Sequence, residues 1–205
     1  EMCIRDRHIG PNAPILKRHP EFARQDRDGN IICTEWNFPY LDYTSDGLRE
    51  YLWCNMIYYL GEMDADGFRC DVGDGVPTDF WVEARRRMKA VKPDSVLINE
   101  GSNWNNLLKG FDSSYCFDWH VNLYKAFSGE ISAAECRAFL EKLANEIPSG
   151  AKLIFDIDNH DTVTDWPKRT EKVAGHNGME QIEVINYLLD GIPMVYCGNE
   201  LADSA

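Results

Sequence analysis

From residue 46 onward, short apolar runs alternate with longer stretches whose apolar residues recur at helical spacing. This alternation limits what the chain can fold into more than any other feature. Leu48, Tyr51, Leu52, Met56 and Tyr59 fall near a 3.6-residue period and predict a helix over 47–62. A strand is predicted at 66–72, then a helix at 78–91 opened by Thr78-Asp79 as its N-cap. Strands follow at 95–100 and, more weakly, at 114–119. A helix over 131–146, preceded by Gly129, leads into a strand at 152–158. A last helix over 178–190 stops at Gly191, before a strand at 192–197. Strands spaced by helices of this length predict βαβ units and a parallel sheet.

Each predicted strand closes on polar groups. These are Asp71, then Asn99 and Glu100, Asp118 to His120, Asn159 to Asp161, and Asn199 with Glu200. Parallel α/β folds carry their chemistry at the carboxyl ends of strands. Five strands with polar groups at the same end favour part of a (β/α)8 barrel over a doubly wound sheet, which concentrates them at one switch point. No Gly-rich phosphate loop of the Rossmann or P-loop type is present. Residues 1–45 carry turn signals instead of periodicity, and Asp28-Gly29-Asn30 is expected to close a hairpin. A plain turn is favoured there over a calcium loop, because the ligand spacing and distal Glu of an EF-hand are missing.

Charge narrows the function. The 205 residues hold 21 Lys and Arg against 34 Asp and Glu, a net charge of −13. Such a chain repels phosphate backbones, so nucleic acid is not an expected partner. Neutral sugars remain open, and 12% aromatic residues suit them. Apolar runs fall short of the roughly 20 residues a membrane helix needs, so no membrane partner is expected. Seven scattered Cys without metal spacing read as free, mostly buried thiols. Localisation and oligomeric state stay open. The chain starts at Glu1, and the opening EMCIRDR is expected not to be native sequence.

Arg69 and Asp71 stand two apart on one strand and so share a face, with Cys70 turned the other way. A charged pair on an inner strand face is costly unless it is fully partnered or has a function. Glu100 closes the next strand after an apolar run. Asn159-His160-Asp161 closes a later one. By itself this tripeptide fits metal binding, acid–base chemistry or turn contacts, and it is shared with metal-dependent phosphoesterases. A metal would need further His and Asp ligands at suitable spacing, and His8, His19, His120 and His176 do not provide it. Three carboxylates on three strand ends suit attack on an acetal, where one carboxyl group attacks and another protonates the leaving oxygen. Trp81, Trp104, Trp119 and Trp166 are candidate stacking faces, with core packing the expected use of Trp81.

The strings GFRCD (67–71), LINEG (97–101), DIDNHD (156–161) and GIPMVYCGNE (191–200) resemble, in order, signature regions of the α-amylase family, glycoside hydrolase family 13. The resemblance covers most of residues 40–205 and implies a retaining glycosidase acting on α-glucosidic bonds of starch-like or maltooligosaccharide substrates. It implies Asp71 as nucleophile, Glu100 as general acid/base, and Asp161, with His160 beside it, as the carboxylate gripping sugar hydroxyls. It implies Arg69 as the group that orients the nucleophile and favours its ionised form. No cofactor is implied. A structural calcium is not supported, because the stretch after Asp71 reads Val72-Gly73-Asp74-Gly75 where many relatives carry Lys-His. A transglycosylase or isomerase of the same family and a non-catalytic amylase-like binding domain are the alternatives. Residues 1–45 are expected to be the remnant of the long connection after the third barrel strand, and 46–205 the fourth to eighth strands. Alone, such a portion is expected to be inactive and poorly stable, so activity is to be sought in a full-length parent.

Overall fold

The computed structural model describes residues 9–161 and 169–201, which form two compact units. The first comprises the described residues up to Glu100 together with Lys109–Asp112. Its N-terminal part holds a short helix α1 (Pro14–Arg18) and antiparallel bridges Ala23–Leu41, Gln25–Ile31 and Cys33–Pro39. The Asp28-Gly29-Asn30 turn does close a hairpin. The Asp26 carboxylate accepts the N–H groups of Asp28 and Asn30 at 2.9 Å each, so it serves the turn itself.

Helix α2 (Asp46–Gly61) follows, with the Ser45 hydroxyl accepting the Leu48 N–H as its cap. Strand β1 (Gly67–Cys70) pairs in parallel with β2 (Val96–Asn99) across helix α3 (Thr78–Val91). The cap of α3 is Pro77 with no side-chain bond, in place of the expected Thr78-Asp79, which lie inside the helix. Leu48, Leu52 and Met56 of α2 and Phe80, Trp81 and Met88 of α3 are buried with Phe68 and Leu97 of the strands. Trp81 packs edge-on against Phe80 and donates its Nε1–H to the Gly73 carbonyl at 2.9 Å, confirming it as a core residue.

The second unit comprises Gly101–Leu108 and the described residues from Ser113 on. Strands β3 (Ser113–Tyr115), β4 (Lys152–Asp156) and β5 (Ile192–Met194) pair in parallel, β4 with each of the others. Helices α4 (Phe117–Phe127), α5 (Ala133–Glu146) and α6 (Glu171–Leu188) accompany them. Ser132 and Glu135 form a reciprocal capping box at the start of α5. Trp119, Leu123, Leu143, Leu153, Phe155, Ile157, Met179 and Ile182 form the core.

Two expectations are corrected here. Residues 117–119 are helix and not strand, so Asp118 to His120 lie on α4 and do not end a strand. Trp119 is a buried core ring whose Nε1–H donates to Asn186 at 2.8 Å, and Trp104 packs against the same core. Trp166 lies outside the described residues. Among the described cysteines, Cys70, Cys116 and Cys136 are buried, Cys33 is half-buried, and Cys54 and Cys197 are exposed; all six are free thiols. Burial pushes the Cys116 thiol up to about 12. No described helix is long and apolar enough to cross a membrane.

Candidate active site

The parallel register of β1 and β2 sets Arg69 beside Ile98 and Cys70 beside Asn99. Asp71 and Glu100, the next residue on each strand, are therefore neighbours at the same carboxyl edge. The Cys70 carbonyl accepts the Glu100 N–H at 3.0 Å, and the Glu100 carbonyl accepts the Gly73 N–H at 3.1 Å. Arg69, only 8% exposed, rises from the inner face between the two carboxylates. Its Nη1 donates to Asp71 Oδ1 at 2.6 Å and its Nη2 to Glu100 Oε1. The Val72 N–H donates to Glu100 Oε2 at 2.7 Å. Both carboxylates are largely buried. One planar guanidinium thus fixes two carboxylates on adjoining corners.

Delivering the Val72 N–H to Glu100 has a conformational cost. Val72 sits in the left-handed region at φ 45° and ψ 45°. For a β-branched residue this costs about 1–3 kcal/mol. The turn Gly73–Gly75 that follows is tightly packed. A Cβ on Gly73 would lie 2.2 Å from Asn99 Oδ1 and 3.2 Å from Phe111 Cζ. Asn99 cannot swing aside freely, because its Nδ2 donates to Asp74 Oδ1 at 2.9 Å. Gly73→Ala is therefore expected to destabilise the first unit by about 1–3 kcal/mol, the usual cost of overpacking, read as a lowered midpoint of thermal unfolding.

In the second unit, Asn159, His160 and Asp161 follow β4. Asn159 is buried, whereas His160 and Asp161 are exposed, with His160 Nε2 3.6 Å from Asp161 Oδ1. The Asp161 N–H donates to Asn159 Oδ1 at 2.9 Å. The predicted site residues thus fall into an Arg69–Asp71–Glu100 cluster and a His160–Asp161 pair. Sequence reasoning missed the Val72 N–H, since a backbone donor has no residue signature.

Glu171, at the start of α6, is buried beside Arg169 and Asp158. Burial, then the neighbouring Asp158 carboxylate, pushes its carboxyl up to about 7, against the partial relief from Arg169. A carboxyl raised on folding keeps its proton in the native state after the unfolded chain has lost it. Stability of this unit is then fully present below the unfolded value near 4.5 and falls as pH rises through about 7. Unfolding midpoints measured from pH 5 to pH 8 should decline, and Glu171→Gln should flatten the decline.

No family model matches the chain. Individual proteins do. A cyclomaltodextrinase of Thermoanaerobacter pseudethanolicus is 29% identical over 195 residues, covering 91% of this chain and 32% of that protein. A maltogenic α-amylase of Bacillus acidopullulyticus is 27% identical over 164 residues, covering 75% of this chain and 27% of that protein. Among solved structures, a maltogenic α-amylase from Thermotoga neapolitana superposes with a TM-score of 0.87 at 29% identity, over 100% of this chain and 47% of that one. An α-amylase from Lactobacillus plantarum gives 0.82 at 25% identity, over 97% of this chain and 50% of that one. The chain spans about 30% of the length of these two relatives. Over most of its length the chain is thus similar in sequence and in fold to cyclomaltodextrinases and α-amylases, and its parallel α/β units are of the kind found in the (β/α)8 barrels of those structures.

Proposed function

We propose that the protein is a retaining glycoside hydrolase that cleaves α-glucosidic bonds in maltooligosaccharides or starch-like glucans. The observation that carries this reading is the single buried guanidinium of Arg69 holding both Asp71 and Glu100. Retaining enzymes need their two carboxyl groups about 5–5.5 Å apart, and inverting enzymes need room for a water between them. Two carboxylates on adjoining corners of one guanidinium suit the closer spacing. The names of the relatives, cyclomaltodextrinase and maltogenic α-amylase, support an α-glucan substrate.

In this reading an Asp71 oxygen attacks the anomeric carbon while Glu100 gives its proton to the departing glycosidic oxygen. Glu100 then takes a proton from the water that releases the glycosyl ester. As described, both Glu100 oxygens accept hydrogen bonds, from Arg69 and from the Val72 N–H, which suits the base form. In the acid form one oxygen gains an O–H donor for the glycosidic oxygen, while the carboxyl keeps acceptor capacity for Arg69 and the Val72 N–H. Asp161 and His160 take the sugar hydroxyls, and no cofactor takes part.

A transglycosylase shares every step except the last, where a sugar hydroxyl replaces water. A binding domain without turnover is disfavoured because all three carboxylates are present. Incubating the full-length protein with maltooligosaccharides, following products by chromatography and the first-formed anomer by NMR, tests the reading. Expected is the α-anomer, with shorter maltooligosaccharides. An inverted product rules out the double displacement, and longer oligosaccharides select the transglycosylase.

A further inference from the structure

Beneath the exposed His160–Asp161 pair lies a set of buried polar groups, all within the second unit, that the proposed chemistry does not use. Asp156, the last residue of β4, and Asp158 are fully buried, and His120 of α4 is 2% exposed. His120 Nδ1 lies 3.6 Å from Asp156 Oδ2, and His120 Nε2 lies 3.8 Å from Asp158 Oδ1. The Asn159 amide donates from Nδ2 to Asp156 Oδ2 at 2.8 Å. Its Oδ1 in turn accepts the Asp161 N–H. Asp158 is tied separately, its Oδ2 accepting from Asn199 at 3.3 Å.

Folding alone gives no reason for this arrangement. Well-packed apolar residues in place of buried ionic groups are often neutral or stabilising. Moreover, Asp156 Oδ1 makes no hydrogen bond among the described residues, which adds a desolvation cost. What the carboxylate does supply is direction. A carboxylate accepts and cannot donate, so the Asn159 amide must turn its NH2 toward Asp156. Its oxygen then has to face the Asp161 N–H. A neutral apolar group at position 156 would remove this selection, and the flipped amide that Asp156 opposes would set an N–H against the Asp161 N–H.

We infer that Asp156, braced by His120, is a positioning residue that fixes Asp161 through the Asn159 amide. The inference rests on the reading of Asp161 as the carboxylate that takes the sugar hydroxyls. It assigns Asp156 no contact with substrate. Its effect belongs to placement, where a displacement near an ångström is enough to cost about 100-fold in rate.

The test compares Asp156→Leu and Asp156→Asn in the full-length protein. It uses residue-resolved hydrogen exchange at the Asp161 amide, thermal unfolding, and kcat and KM on maltooligosaccharides. In the Leu variant, exchange at Asp161 should speed up roughly tenfold, as expected for a lost hydrogen bond. Its kcat should fall about 100-fold, with the unfolding midpoint held or raised. The Asn variant still offers an acceptor and should fall between Leu and the unsubstituted protein on both measures. If the Leu variant does not fold, the Asn variant decides. Exchange at Asp161 unchanged in a folded variant overturns the inference, as does an Asp161 amide that is unprotected before any substitution. Should the unsubstituted protein turn over no maltooligosaccharide, the functional reading fails by itself, and exchange still decides the role of Asp156.

Discussion

Asp71→Asn in the full-length protein is expected to lower kcat on maltooligosaccharides by about 10⁴-fold or more, the scale seen when a covalent nucleophile is removed. That loss corresponds to roughly 5 kcal/mol of transition-state stabilisation. The substitution is nearly isosteric, and an asparagine oxygen can still accept from Arg69 Nη1, so unfolding should change little. The loss would then be chemical. An activated 2-fluoro sugar that accumulates as an ester should add its mass to the unsubstituted protein and leave the variant unlabelled. Labelling of the variant at another carboxylate, or turnover within about tenfold of normal, would move the nucleophile elsewhere.

Glu100→Gln should cost about 10²–10⁴-fold on maltooligosaccharides, since it removes proton transfer from both steps. The distinguishing outcome lies in its dependence on the leaving group. A glycosyl fluoride departs without a proton, so formation of the Asp71 ester should survive while its hydrolysis stalls for want of a base. Added azide, which needs no base, should restore release and give the α-glycosyl azide. Equal losses on the fluoride and the oligosaccharide, with no azide rescue, would mean that Glu100 only binds. Gln can still accept from the Val72 N–H, so the loop geometry is expected to persist.

The alternation of strands and helices was legible because burial sets a period that residue types cannot hide. The helices over 46–61, 78–91 and 133–146 stand within two residues of their predicted starts. Helix α4 was not legible. Phe117 and Trp119 have the high β propensity of aromatic residues, and a strand was read through them. The structure instead buries Trp119, His120 and Leu123, which fall on one helical face. Helix α6 begins seven residues before its predicted start, across a break at Gly175, where φ is 63° and ψ 178°. Of the site, the motif residues were legible by type. The pairing of Arg69 with Asp71 was legible too, but not the reach of the same arginine to Glu100, because the alignment of β1 with β2 decides it. The Asp156–Asn159 link was hidden too, since a strand buried on both faces gives no alternation to show what Asp156 meets.

The left-handed Val72 bears on how such an enzyme changes under selection. Glycine or asparagine occupies that conformation with less strain, so either should make the folded chain more heat-resistant. Glycine, free to take many other angles, would also loosen the turn that aims this backbone N–H at Glu100, whereas asparagine would keep it. If the proposed function holds, a library selected only for survival at high temperature would therefore accept glycine at position 72 at the expense of turnover, and asparagine without that loss. One selected for sugar release after heating would prefer asparagine to glycine there. On that reading, heat resistance and turnover would both be set by the backbone angles of one residue, position 72.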